Sequence, residues 1–73
     1  MVNIDLVKTG NNIAYLRKKR GITIAELQNY FGFTSPCAIY KWQRGDSLPT
    51  LDNMINLSEL LGVSVEDIVV MER

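Results

Sequence analysis

The 73-residue sequence has no histidine, a single cysteine and two prolines, and its eight Lys and Arg are matched by eight Asp and Glu, so its formal net charge is zero. Each shortage excludes something. Without histidine the commonest general base is missing, and Cys37 alone cannot assemble the usual zinc arrangements. There is no nucleophile elbow and no Gly-rich phosphate loop, so an enzyme is not expected and no catalytic residue, cofactor or metal ligand is assigned. One cysteine rules out an intrachain disulfide and fits a reducing, cytoplasmic setting. Apolar runs extend for only a few residues, and Met1-Val2-Asn3-Ile4-Asp5-Leu6 lacks a basic region leading into an apolar stretch. Neither secretion nor membrane insertion is expected.

What is present is ordinary globular material, 47% hydrophobic and 22% charged, which a disordered tail would not show. The length implies a single domain, 1–73, with an arm over 1–9 and a helical core over 10–71. A chain this short buries only roughly 60–65% of its unfolded surface. Dimerisation would add to that small core.

Gly21, Gly32, Gly45 and Gly62 each follow a stretch with helical apolar spacing, where a left-handed residue ends a helix without steric cost. Candidate caps stand ahead of the next segments: Thr9 or Asn11, then Thr23 with Glu26 as a capping box, Ser35 before Pro36, Thr50, and Ser64 with Asp67. The spacing predicts helices near 11–20, 24–31, 36–44, 51–61 and 65–71. Steps of 100° place Ile13, Leu16, Arg17 and Arg20 on the inner stripe of the first helix, with Lys18 and Lys19 pointing away. Ile24, Leu27 and Phe31 face inward in the second, Leu51, Met54, Ile55, Leu57 and Leu61 in the fourth, and Val65, Ile68 and Val69 in the fifth. Val2, Ile4 and Leu6 alternate with polar residues, a strand-like period read as an extended arm.

The third helix is the least generic. Its inner stripe is Ile39, Trp42 and Gln43, and its outer face carries Cys37, Tyr40, Lys41 and Arg44 with no acid. A helix fits the DNA major groove, where Lys or Arg donates to guanine O6 and N7 and a small apolar atom meets a thymine methyl. The second helix, joined through Gly32-Phe33-Thr34-Ser35, can then turn its first N–H groups toward a phosphate. This is the logic of a helix-turn-helix. The same face also reads as a solvated surface with two cations, Trp42 as a core anchor, and Cys37 as a small helix residue or a reactive thiol.

From residue 9 to about 70 the chain resembles the Cro/repressor-type helix-turn-helix domains, the Xre family, with a lambda-repressor-like fold. The resemblance rests on Ile13, Leu16, Arg17, Gly21, Ile22 and Thr23; on Glu26-Leu27 and Phe31-Gly32; and on Ile39-Tyr40-Lys41-Trp42-Gln43-Arg44-Gly45. It continues in Leu48-Pro49-Thr50-Leu51 and in Leu60-Leu61-Gly62-Val63-Ser64-Val65-Glu66-Asp67-Ile68. It implies an all-α, compact five-helix domain whose second and third helices form the helix-turn-helix. Three departures stand out. The turn from Gly32 to Ile39 is one residue longer than usual, as in one bacterial subgroup. Ile24 replaces a Gln that often touches a phosphate. Gln43 stands where a Glu often pairs with the equivalent of Arg17, and Gln accepts a hydrogen bond without neutralising the charge.

Carried over by position, the resemblance puts base reading on Pro36, Cys37 and Lys41, with Tyr40 beside them. Phosphate contacts fall to Arg17, Thr23, Ile24, Thr34, Ser35 and Arg44. Pro36 has no polar group, so any selectivity there comes from shape or apolar contact. The function implied is a bacterial or phage-like regulator of transcription, a small repressor binding double-stranded DNA as a homodimer on half-sites about one helical turn apart. Leu60, Val70, Met71 and the arm are candidates for the dimer contact. A chain of this length leaves no room for a separate effector domain, so no small-molecule ligand is expected. The alternative is a protein-interaction module of antitoxin-like or regulatory-subunit type, which the neutral charge favours because DNA binders are commonly basic. The charge is unevenly spread, however. Residues 1–44 hold seven cations against two acids, a balance of +5, and residues 45–73 hold one against six, a balance of −5. A basic half can face DNA while the acidic half faces away.

Overall fold

The computed structural model describes residues 2–72. In chain order it contains β1 (Asn3–Ile4), α1 (Leu6–Lys19), α2 (Ile24–Phe31), α3 (Cys37–Arg44), α4 (Leu51–Leu61), α5 (Val65–Ile68) and β2 (Met71–Glu72). The five-helix expectation holds, and α2 and α4 have the bounds their spacing predicts. The predicted capping box forms at α2, where the Thr23 hydroxyl accepts from the Glu26 N–H while Glu26 accepts from the Thr23 N–H, and Ser64 and Asp67, read as the opening of the fifth helix, make the same reciprocal pair. These caps satisfy N–H groups that the helix itself leaves open. The four punctuating glycines all adopt left-handed backbone, with φ from 70° to 82°.

The first helix departs from expectation. It starts at Leu6 rather than near residue 11, and its cap is Asp5, whose carboxylate accepts from the Lys8 N–H at 2.9 Å. The arm therefore ends at Asp5. Thr9, read as a cap, is instead buried inside the helix, where its hydroxyl accepts from the Val70 N–H at 2.9 Å. Gly10, which costs helix propensity, sits where α1 crosses α3. A Cβ there would lie 2.7 Å from the Gln43 carbonyl oxygen and 2.9 Å from its carbon, so only glycine lets the two backbones meet.

The fifth helix is shorter than expected, ending at Ile68, because the chain turns extended to pair β2 with β1. The pairing is antiparallel, with Asn3 opposite Glu72 and Ile4 opposite Met71. The Asp5 N–H donates to the Val70 carbonyl at 2.8 Å, and the Asn12 amide donates to the Asp67 and Ile68 carbonyls at 2.7 and 3.0 Å. The last carbonyls of α5 thus find partners on α1, which joins the two chain ends to the body.

Ile13, Leu27, Ile39, Trp42, Met54, Leu57, Leu61 and Ile68 form the core, one or more from each helix. Each fully buried Leu or Ile contributes about 1.5–3 kcal/mol relative to exposure. Three assignments are corrected. Leu51 is 72% exposed and Ile55 46%, so the inner stripe of α4 is narrower than five residues. Arg20 is exposed, beside Gly62 rather than in the core.

Candidate nucleic-acid interface

The start of α3 is set by the residues before it. Pro36, not Ser35, occupies the cap position, and the Ser35 hydroxyl accepts from the Cys37 N–H at 3.3 Å. The longer turn is held by aromatic rings. Phe33 stacks on Phe31 with centroids 5.3 Å apart, and both meet Trp42 edge-on at 5.8 and 5.5 Å. Such geometries are those the ring quadrupoles favour. Trp42, 4% exposed, is the core anchor of α3 and not a stacking platform. With Ile39 and Trp42 buried, Cys37, Tyr40, Lys41 and Arg44 all face outward, as the helical spacing predicts.

Thr34, Ser35, Cys37 and Lys41 line one open groove of about 340 Å³, together with Phe33, Ala38 and Ser47. Four of the ten candidate contacts thus meet at a single surface. Ser47, from the loop after α3, was not among them. Its approach depends on how that loop folds back, and no local sequence pattern signals it. Cys37 is exposed and unpaired.

The remaining candidates do not line this groove. Arg17, half-buried, donates Nε to Gln43 Oε1 at 3.0 Å and Nη1 to the Ile22 carbonyl at 2.8 Å. The Arg–Gln bond joins α1 to α3 without cancelling the charge. Thr23 is exposed at the start of α2, but its hydroxyl already donates to Glu26 Oε1 at 3.1 Å. A phosphate there would meet the Ile24 end of the helix with a carboxylate close by. Arg44 forms the only ion pair among the described residues, Nε to Asp46 Oδ2 at 2.9 Å. Among the described residues no carboxylate lies within ion-pair distance of Lys41, which lines the groove.

Of the dimer candidates, Leu60 packs half-buried against the core and lines a groove with Ile22, Glu26, Asn29 and Tyr30, away from the β ribbon. Val70 and Met71 instead line an apolar groove with Ile4, Val65, Glu66 and Val69 beside the β ribbon. Among the described residues no group of His, Cys, Asp and Glu could hold a metal ion, and no helix is long and apolar enough to cross a membrane.

Two short helices joined by a tight turn, the second presenting an acid-free outer face, define a helix-turn-helix domain. The chain belongs to the helix-turn-helix family of Xre and lambda-repressor-like type, whose model matches residues 13–68. Among solved structures it is similar to the DNA-binding domain of BldD, with a TM-score of 0.73 at 17% identity, covering 89% of this chain and 93% of that one. A second, the BldD DNA-binding domain of S. venezulae, gives the same score and identity and is covered over 96% of its length. At that identity the likeness is one of fold. A comparison with curated protein sequences gives no match.

Proposed function

We propose that the protein is a sequence-specific binder of double-stranded DNA that regulates transcription by laying α3 in the major groove. The observation that carries this is the outer face of α3, where Cys37, Tyr40 and Lys41 stand exposed and acid-free beside the groove formed with Thr34, Ser35 and Ser47. The family and the two similar DNA-binding domains support it. Lys41 donates to a base edge, Tyr40 and Cys37 supply a hydroxyl and a small soft atom, and Pro36 contributes shape alone. Thr34, Ser35, the Ile24 end of α2, Arg17 and Arg44 reach phosphates. Thr23 contributes only if Glu26 releases its hydroxyl.

The chain acts from the cytoplasm as a dimer, through the apolar strip of Val70 and Met71 at the β ribbon, on two half-sites about one turn apart. Repression by occlusion needs no further part. The neutral net charge and the exposed Tyr30, Leu51 and Ile55 favour a second reading, a module that binds another protein. Selection from a random duplex pool followed by titration at increasing salt separates the two. On the DNA reading, affinity falls steeply with salt. Lys41→Ala weakens the best duplex about tenfold and flattens its base preference. Failure of the chain to bind any duplex at low salt would sink the proposal.

A further inference from the structure

Arg44 and Asp46 stand at the end of α3 in an arrangement that charge counting alone would misread. Asp46 is not a freely moving loop acid. Its N–H donates to the Lys41 carbonyl at 2.9 Å while the Gly45 N–H donates to that of Trp42 at 3.1 Å. This pair of bonds closes the helix and fixes the residues after it. Gly45 is itself seated against α1, since a Cβ on it would fall 2.7 Å from the Val7 Cα. The Asp46 backbone is therefore anchored, and its carboxylate takes only the Nε hydrogen of Arg44. The two Nη groups keep their four hydrogens, and two of these, one from each Nη, share the far edge of the guanidinium plane and are left for another acceptor.

We infer that Asp46 is a positioning residue for Arg44, holding the guanidinium so that its outer edge meets a DNA phosphate in two parallel hydrogen bonds. The inference rests on the DNA-binding reading. A guanidinium gripped at Nε is a fork with a fixed plane, the geometry that suits a phosphate. Both side chains are more than half exposed, at 62% and 54%, so the pair adds little to folding. Its value is to remove the rotamer freedom of a long side chain before DNA arrives, a cost that binding would otherwise meet. Against it stands the repulsion between the Asp46 carboxylate and the phosphate. At 0.15 M salt the screening length is about 8 Å, longer than one guanidinium, so the repulsion is only partly screened and preorganisation has to exceed what remains of it.

The two effects have opposite signs, so a substitution decides between them. The duplex that the wild-type chain recovers from a random pool is titrated at physiological salt with Asp46→Ala, Asp46→Asn, Arg44→Ala and the double variant, each checked for an unchanged melting curve. Asp46→Ala, although it makes the chain more positive, binds about three- to fivefold more weakly, within the scale of a surface charge pair. Asp46→Asn, whose carbonyl can still accept from Nε, stays within about twofold of wild type. In the Arg44→Ala background, Asp46→Ala causes no further loss. Tighter or unchanged binding by Asp46→Ala overturns the inference, as does an equal loss in the Arg44→Ala background or an Asn variant as weak as the Ala one. Failure of the wild-type chain to recover any duplex is a different result, and it strikes the DNA reading itself.

Discussion

The two halves of the molecule share one core and differ in charge. Residues 1–44, with α1, α2 and α3, carry a balance of +5, and residues 45–73, with α4 and α5, carry −5. Yet Leu27 and Ile39 from the first half are buried in the same cluster as Leu57 and Ile68 from the second. The electrostatic division lies on the surface, and the apolar interior ignores it. A small domain can thus carry opposite charge balances in two parts of its chain without a second core, and a zero net charge says little about which partner it meets.

The strongest test of that shared interior is to remove a core side chain from each half. Ile39→Ala and Leu57→Ala each cost about 2–5 kcal/mol, and thermal melts followed by far-UV and near-UV circular dichroism remain single and coincident. Separate transitions for the two halves would break the comparison. Next in size, Gly10→Ala costs about 2–3 kcal/mol, because the methyl is driven into the α3 backbone. Gly62→Ala, in the acidic half, meets only the movable end of Arg20 and carries the left-handed strain of about 1 kcal/mol. Denaturant titration of the two variants measures the difference, and equal losses would show that the α1–α3 crossing is looser than drawn. The smallest effect is electrostatic. Glu66→Gln changes affinity for duplex DNA by less than about twofold, because this exposed charge on α5 is not part of the groove that Lys41 lines and is screened. A change as large as that expected for Lys41→Ala would place α5 at the DNA.

Much of this was legible in the sequence where one local rule was enough. The capping boxes at Thr23 and Ser64, the glycines that end helices, and the buried Ile39 and Trp42 are all readable within a few residues. The exposed face of α3 followed, because it is what remains once the inner stripe is assigned. The start of α1 was not legible. Thr9-Gly10 looks like a loop, and both residues sit within a helix for reasons that lie far along the chain, at Val70 for Thr9 and at Gln43 for Gly10. Tertiary packing overrode propensity there. The β ribbon was half legible: the strand-like alternation at Val2, Ile4 and Leu6 covers its first strand, but the two-residue second strand and the pairing with the opposite end of the chain follow no local rule. Leu51 and Ile55 were misplaced because hydrophobicity marks what is able to be buried, not what a neighbour actually covers.

The ribbon has one more consequence. By pairing Ile4 with Met71 it brings the beginning and the end of the described chain to the same corner, so the polypeptide runs almost as a closed ring. Forming that contact in an open chain means closing a loop of nearly the full length, an entropic cost that local helices do not share. A short covalent link between the ends would make the longest-range contact in the molecule a local one, and new termini could then be opened at an exposed helix junction elsewhere, a circular permutation of the same fold.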